Sequence, residues 1–232
     1  MVHAINSDAD EDGGFVRLAD DLVEQGMRTL RFSFRAHGRS DGKGEALTVA
    51  GEQLDLMAAI RVIEGWPVAR LGIVASSFGA IPLLLSLDLL RPRPDALVLW
   101  NPLLDVPGTF VSPSLPWGVQ NFNAKARSEA RDHGWLDING EFRVGSVFLN
   151  ELERIPDLST ALVDLRIPTL IIHGDADTYV SFAVSSRAAG LSPSVELHTI
   201  HGSEHGFPEP EDERDARSLT TAHFVSSFGM FG

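Results

Sequence analysis

"VASSFGA" (residues 74–80) sits where one apolar run, Leu71, Ile73 and Val74, stops and a second, residues 81–85, begins. The stretch is either a loop joining two buried elements or a serine held out on a tight turn. A serine hydroxyl attacks a carbonyl carbon only when a base takes its proton and the backbone projects it towards the substrate. A strand that turns abruptly into a helix does this by straining the serine, which requires small residues two positions before and after it. Ala75-Ser76-Ser77-Phe78-Gly79 meets that requirement with Ser77 at the centre. Centring on Ser76 instead would put Val74 and Phe78 where small residues are needed.

Two later stretches supply partners. Asp175-Ala176-Asp177 follows the apolar run "TLIIHG" (residues 169–174), and Ser203-Glu204-His205-Gly206-Phe207 follows "VELHTIHG" (residues 195–202). A carboxylate on one loop and an imidazole on the next can both reach a serine at the same sheet edge, the acid fixing the tautomer and stabilising the imidazolium. Asp175 reads as a turn-shaping residue, and Asp105, after "ALVLWNP", is a rival acid. His201 is the alternative base, although it stands at a strand end rather than on the following loop. His173 and His37 sit in His-Gly turns and read as loop-orienting, while His198 in a strand and His223 in the last helix read as structural.

Composition narrows the setting. A chain of 232 residues, 44% hydrophobic and 22% charged, suits one α/β domain with a substantial core. The absence of cysteine excludes a disulfide framework, thiolate metal sites and a cysteine nucleophile, and makes a cytoplasmic setting the default. A formal charge of −13 repels nucleic-acid phosphates and anionic lipid surfaces. No stretch approaches the roughly 20 apolar residues of a membrane span, and the N-terminus lacks the basic-then-apolar pattern of a signal peptide. Neither a metal nor a cofactor is expected.

Short apolar runs alternate with amphipathic segments, the pattern of a parallel sheet covered by helices. Strands are expected at residues 29–34, 71–76, 96–102, 169–174 and 195–202, with "VHAI" (residues 2–5) as a clipped sixth. Residues 15–26 carry Phe15, Leu18, Leu22 and Val23 on one helical face and stop at Gly26. A second helix starts at Thr48, with Glu52 nearby, and "FGAIPLLLSLDLL" has the composition of a helix buried behind the sheet. Residues 103–166 break the pattern, with Pro107, Pro113, Pro116, Trp117, Trp135 and no strong strand signal. Such an insertion covers the sheet edge where open α/β folds bind ligands. The expected division is therefore a core of residues 1–102 and 167–232 with a cap of residues 103–166. Trp100, Trp117 and Phe122 are candidate pocket residues.

"RFSFRAHGRSDGKGEALTV", the "ASSFG" turn, "IPTLIIHGDADTYV" and "GSEHGF" together resemble the α/β-hydrolase superfamily over nearly the whole chain. They look most like capped bacterial cinnamoyl/feruloyl-esterase-like and monoacylglycerol-lipase-like serine hydrolases. The resemblance implies the nucleophile at Ser77, the acid at Asp177, the base at His205, no cofactor, and acyl transfer to water through an acyl-enzyme. It also implies an oxyanion site built from the backbone N–H groups of Ile5 and Phe78. The chain departs from the family at Ala4, where glycine is usual and where alanine limits the loop, and at Ala36, which reads as a minor change. The strands that precede the first loop in the family have no counterpart here, so an exposed sheet edge and pairing of two copies through it are expected.

The expected function is hydrolysis of a carboxylic ester of a small or medium acyl or aryl group. A thioesterase or acyl cyclase would use the same groups. A ligand-binding module that keeps the scaffold without turnover is the alternative of another class.

Overall fold

The computed structural model describes residues 1–67 and 69–230. Its central sheet has four parallel strands, β1 (Gly72–Ser76), β2 (Ala96–Trp100), β5 (Thr169–Gly174) and β6 (Val195–Ile200), in the order β1-β2-β5-β6. β2 and β5 are buried at every position, as strands covered on both faces must be. Side chains alternate between two cores. Ile73, Ala75, Leu97 and Leu99 face the layer of α2 (Val49–Glu64), α3 (Ala80–Ser86) and α7 (Phe182–Leu191), while Val74, Val98 and Trp100 face α1 (Gly14–Glu24) and α8 (Pro210–Phe228).

Most helix signals act as read, but Val23, expected on the apolar face of the first helix, is turned to solvent. Thr48 accepts a hydrogen bond from the Gly51 N–H at 2.9 Å and so caps α2. α1 lays Phe15, Leu18 and Leu22 against the sheet, and the chain leaves it through Gly26 at φ 79°.

Residues 29–34 are not a strand, contrary to expectation. The neighbouring segment of residues 2–5 spends its groups elsewhere. Val2 pairs with β1 through an isolated parallel bridge to Ala75, the His3 ring rather than its backbone meets the Phe34 N–H, and the Ala4 N–H goes to Glu11. Only the Met1 amino group reaches the backbone across, at the Leu30 carbonyl. A ladder cannot form where one side's donors and acceptors are diverted to side chains.

Between β2 and β5 the chain forms a wide turn at Pro107–Val111, then α4 (Pro116–Asn121), α5 (Ala124–His133), a hairpin of β3 (Trp135–Ile138) and β4 (Phe142–Gly145), and α6 (Ser146–Leu152). The hairpin corrects the expectation of no strand here. Asn139 and Gly140 turn it with φ of 55° and 76°, the left-handed pair that Asn-Gly favours.

Ala36 adopts φ 64°, a conformation costly for a residue with a Cβ. It is therefore more than a minor change. Ala36→Gly is expected to raise the melting temperature by about 2 °C, corresponding to somewhat under ~1 kcal/mol. A fall on thermal melting would mean that the Ala36 methyl packs usefully.

Candidate active site

β1 ends at Ser76, and a tight 3-10 turn over Ser77–Gly79 leads straight into α3. Ser77 sits at φ 47°, in the left-handed region. The turn is enforced from two sides. Its Ser77 carbonyl accepts from the Leu103 N–H at 3.0 Å, and a Cβ on Gly79 would lie 2.6 Å from the His3 carbonyl oxygen and 2.8 Å from that of Val2. Glycine at 79 thus allows residues 2–3 to lie directly on the elbow. Ser76, the rival nucleophile, belongs to β1 and lines a cavity of about 680 Å³ on the α1–α8 side, which His205, Trp100 and Glu11 line as well.

Ser77 Oγ lies 3.0 Å from His205 Nε2, and His205 Nδ1 lies 2.7 Å from Asp177 Oδ2. A carboxylate only accepts, so Nδ1 carries the proton and Nε2 is free to accept from the serine. Asp177 has a fully buried side chain. Its Oδ1 accepts from the N–H groups of Tyr179 (2.7 Å) and Val180 (2.9 Å), and its Oδ2 also accepts from His173 Nε2 at 3.1 Å. Burial opposes the charge, yet the donors His173 and His205 outweigh it and hold the carboxyl well below the usual carboxylate range.

Several of these partners escape sequence reading. His173 is a buried donor to Asp177, itself met by Ser185 Oγ at 2.8 Å on Nδ1, not merely a turn residue. Glu204 ties the two loops together by accepting from the N–H groups of Thr178 and His205 and from the Thr178 hydroxyl. Tyr179 stacks on the His205 ring at 4.8 Å and 7°, and Trp117 stacks on Tyr179 at 5.4 Å. "DTYV" places Tyr179 two residues after the acid, which is the one signal that pointed to it.

The remaining candidates divide. Phe78 follows Ser77 at the start of the turn, where helical N–H groups lack an internal partner. The Ile5 N–H makes no hydrogen bond among the described residues. Trp117 and Phe122 join Phe110 and Phe78 in an aromatic layer beside the serine, but Trp100 is not part of it. Trp100 lies on the opposite face of the sheet and donates its indole N–H to Thr220 Oγ1. Asp105 caps a turn by accepting from the Gly108 N–H, and His201 pairs with Asp175 at the surface. Among the described residues no group of three or more histidines and carboxylates is arranged to hold a metal, and no helix is long and apolar enough to cross a membrane.

No family model and no curated protein matches this sequence. Solved structures do. Est1E from Butyrivibrio proteoclasticus, with ferulic acid bound, superposes with a TM-score of 0.77 at 20% identity, over 97% of this chain and 88% of that one. Alpha/beta hydrolase domain-containing protein 10 from mouse gives 0.73 at 18% identity, over 97% and 88%. The chain has the α/β-hydrolase fold. The Paleococcus ferrophilus monoacylglycerol lipase is similar too, with a TM-score of 0.69 at 17% identity over 97% of this chain and 93% of that one.

Within this α/β-hydrolase fold the loop beside the elbow is held by His3. Its Nε2 accepts from the Phe34 N–H at 2.9 Å and its Nδ1 donates to the Ala4 carbonyl at 2.7 Å. Burial pushes its pKa down from 6.5 to about 4, against the hydrogen bond to Ala4. Below pH 6.5 the unfolded chain therefore binds a proton that folded His3 refuses, and stability falls as the pH drops towards 4. The slope from this group approaches ~1.4 kcal/mol per pH unit. Urea unfolding between pH 7.5 and 4.5 is expected to show a flatter acid decline for His3→Asn than for wild type. Identical slopes would place the acid sensitivity elsewhere.

Proposed function

We propose that this protein is a serine hydrolase that cleaves a carboxylic ester of a small or medium acyl or aryl group through an acyl-enzyme. The observation that carries the reading is the unbroken path from Ser77 Oγ through His205 to buried Asp177, beginning at a serine in the left-handed conformation. Strain of that kind persists where surrounding structure over-determines it, and it collects at reactive sites.

In this reading His205 Nε2 takes the Ser77 proton as Oγ attacks the acyl carbon, and Asp177 stabilises the imidazolium. The N–H groups of Ile5 and Phe78 receive the negative oxygen. His205 then returns its proton to the leaving alcohol, and the same base activates water against the acyl-enzyme. His173, Tyr179 and Val180 keep Asp177 ionised by donating to it. Tyr179 confines the His205 ring from one face. Residues 103–166 act as the cap, with Trp117 and Phe122 towards the acyl group. Two structural neighbours support an ester as the bond, one holding ferulic acid and one being a monoacylglycerol lipase.

One observation favours the non-catalytic reading: Ser77 is only 6% exposed. Activity and chain length separate the two. The wild type is expected to react with a fluorophosphonate probe and to hydrolyse p-nitrophenyl esters with a preference among short and medium chains. Ser77→Ala and His205→Ala are expected to abolish both, and Asp177→Asn to lower kcat by about 10⁴-fold. A folded wild type that neither labels nor hydrolyses would overturn the enzyme reading in favour of ligand binding.

A further inference from the structure

The loop that carries Ile5 is pinned at two successive peptide groups. The Ala4 N–H donates to Glu11 Oε2 at 3.0 Å, which orients the peptide between His3 and Ala4. The Ala4 carbonyl accepts from His3 Nδ1 at 2.7 Å, which orients the next peptide, the one whose N–H belongs to Ile5. Because a peptide is planar, fixing the planes on both sides of Ala4 fixes the direction of the Ile5 N–H. Alanine rather than glycine at 4 narrows the loop further, without itself needing a left-handed φ.

Glu11 is built to be immobile. It and Asp12 hold consecutive left-handed conformations, φ 46° and 51°, unfavourable for residues with a Cβ. The Gly14 N–H bonds back to the Glu11 carbonyl and the Phe15 N–H to that of Asp10, so the strained turn is bolted to the start of α1. α1 is in turn anchored by fully buried Phe15 and Leu18. Ser76, immediately before the nucleophile, lines one cavity with Glu11. Burial raises the Glu11 pKa, opposed by the side chains of Ser76 and Ser7 and by the Ala4 N–H. A partly buried acid on a strained turn, reached from the elbow and from the adjacent loop, is more than a surface charge needs.

We propose that Glu11 is a positioning residue for the oxyanion site, clamping the loop of residues 3–5 so that the Ile5 N–H faces the acyl oxygen at Ser77. The proposal rests on the serine-hydrolase reading and assigns the clamp to a carboxyl outside the path from Ser77 to Asp177. It acts through Ala4 and touches no reacting atom.

The test uses the full chain and compares wild type with Glu11→Leu, Glu11→Asp and Glu11→Gln. The readouts are the rate and final stoichiometry of fluorophosphonate labelling, kcat and KM for a p-nitrophenyl ester, and the melting temperature. Glu11→Leu is expected to slow labelling and kcat by about 10- to 100-fold, the cost of misplacing one oxyanion donor. Final stoichiometry and KM should stay near wild type. Glu11→Gln, whose amide oxygen still accepts the Ala4 N–H, should recover most of the rate. Glu11→Asp, one methylene short, should stay slow, and it serves if the leucine variant does not fold.

A folded Leu or Asp variant that labels at the wild-type rate overturns the clamp. So does a Gln variant as slow as Asp, or a loss confined to the labelled fraction and melting temperature, which marks a merely structural role. If the wild type itself is not labelled at Ser77, the hydrolase reading fails and the clamp fails with it. If it is labelled and only the variants disobey, the clamp alone is wrong.

Discussion

A single backbone conformation organises this molecule: Ser77 at φ 47°, held between the end of β1 and the first turn of α3. Such a conformation costs about 1–2 kcal/mol for a residue with a Cβ, so it stands only because other groups enforce it. The Leu103 N–H holds the Ser77 carbonyl from β2's side, and the bare Cα of Gly79 lets the carbonyls of Val2 and His3 press against the elbow. The loop that ends at Ile5 is therefore placed by the same turn that projects the serine. The proposed nucleophile and the proposed oxyanion donors are one construction.

The opposite wall depends on charge kept ionised inside the fold. Asp177 has no exposed side-chain surface, and its cost of burial is offset by four donors: two imidazoles and two backbone N–H groups. Because His173 Nε2 and His205 Nδ1 both point at Oδ2, the acid orients His205 while being itself oriented by β5. Glu204, on the His205 loop, then joins it to the Asp177 loop through two hydrogen bonds from Thr178, while a third, from the His205 N–H, fixes Glu204 within its own loop. The aromatic pair of Tyr179 and Trp117 links this wall to the insertion between β2 and β5.

Much of this was legible in the sequence because it depends on local pattern. Short β-rich runs marked the four sheet strands, and small residues around Ser77 marked the elbow. What escaped depends on where side chains spend their hydrogen bonds. Residues 29–34 have a strand's composition, but the Phe34 N–H goes to the His3 ring and the Ala4 N–H of the neighbouring segment goes to Glu11, which no periodicity reveals. Asn139-Gly140 did announce a hairpin, and the surrounding prolines and charges masked it. Trp100 stands at a strand end, and strand alternation turns it from the aromatic layer to the α1–α8 face, where it lines the cavity that Ser76 and His205 also line. Nothing in the sequence separates Glu11 and Glu204 from the other acids of this acidic chain. Their importance lies in contacts with residues near in space, at Ala4 and at Thr178.

The most direct measurement is to mix the protein with a p-nitrophenyl ester, quench in acid within the first turnover, and map the modified peptide by mass spectrometry. The account predicts a covalent acyl group on Ser77, with none on Ser76 one residue away. An adduct on Ser76, or turnover without any acylated serine, would contradict it.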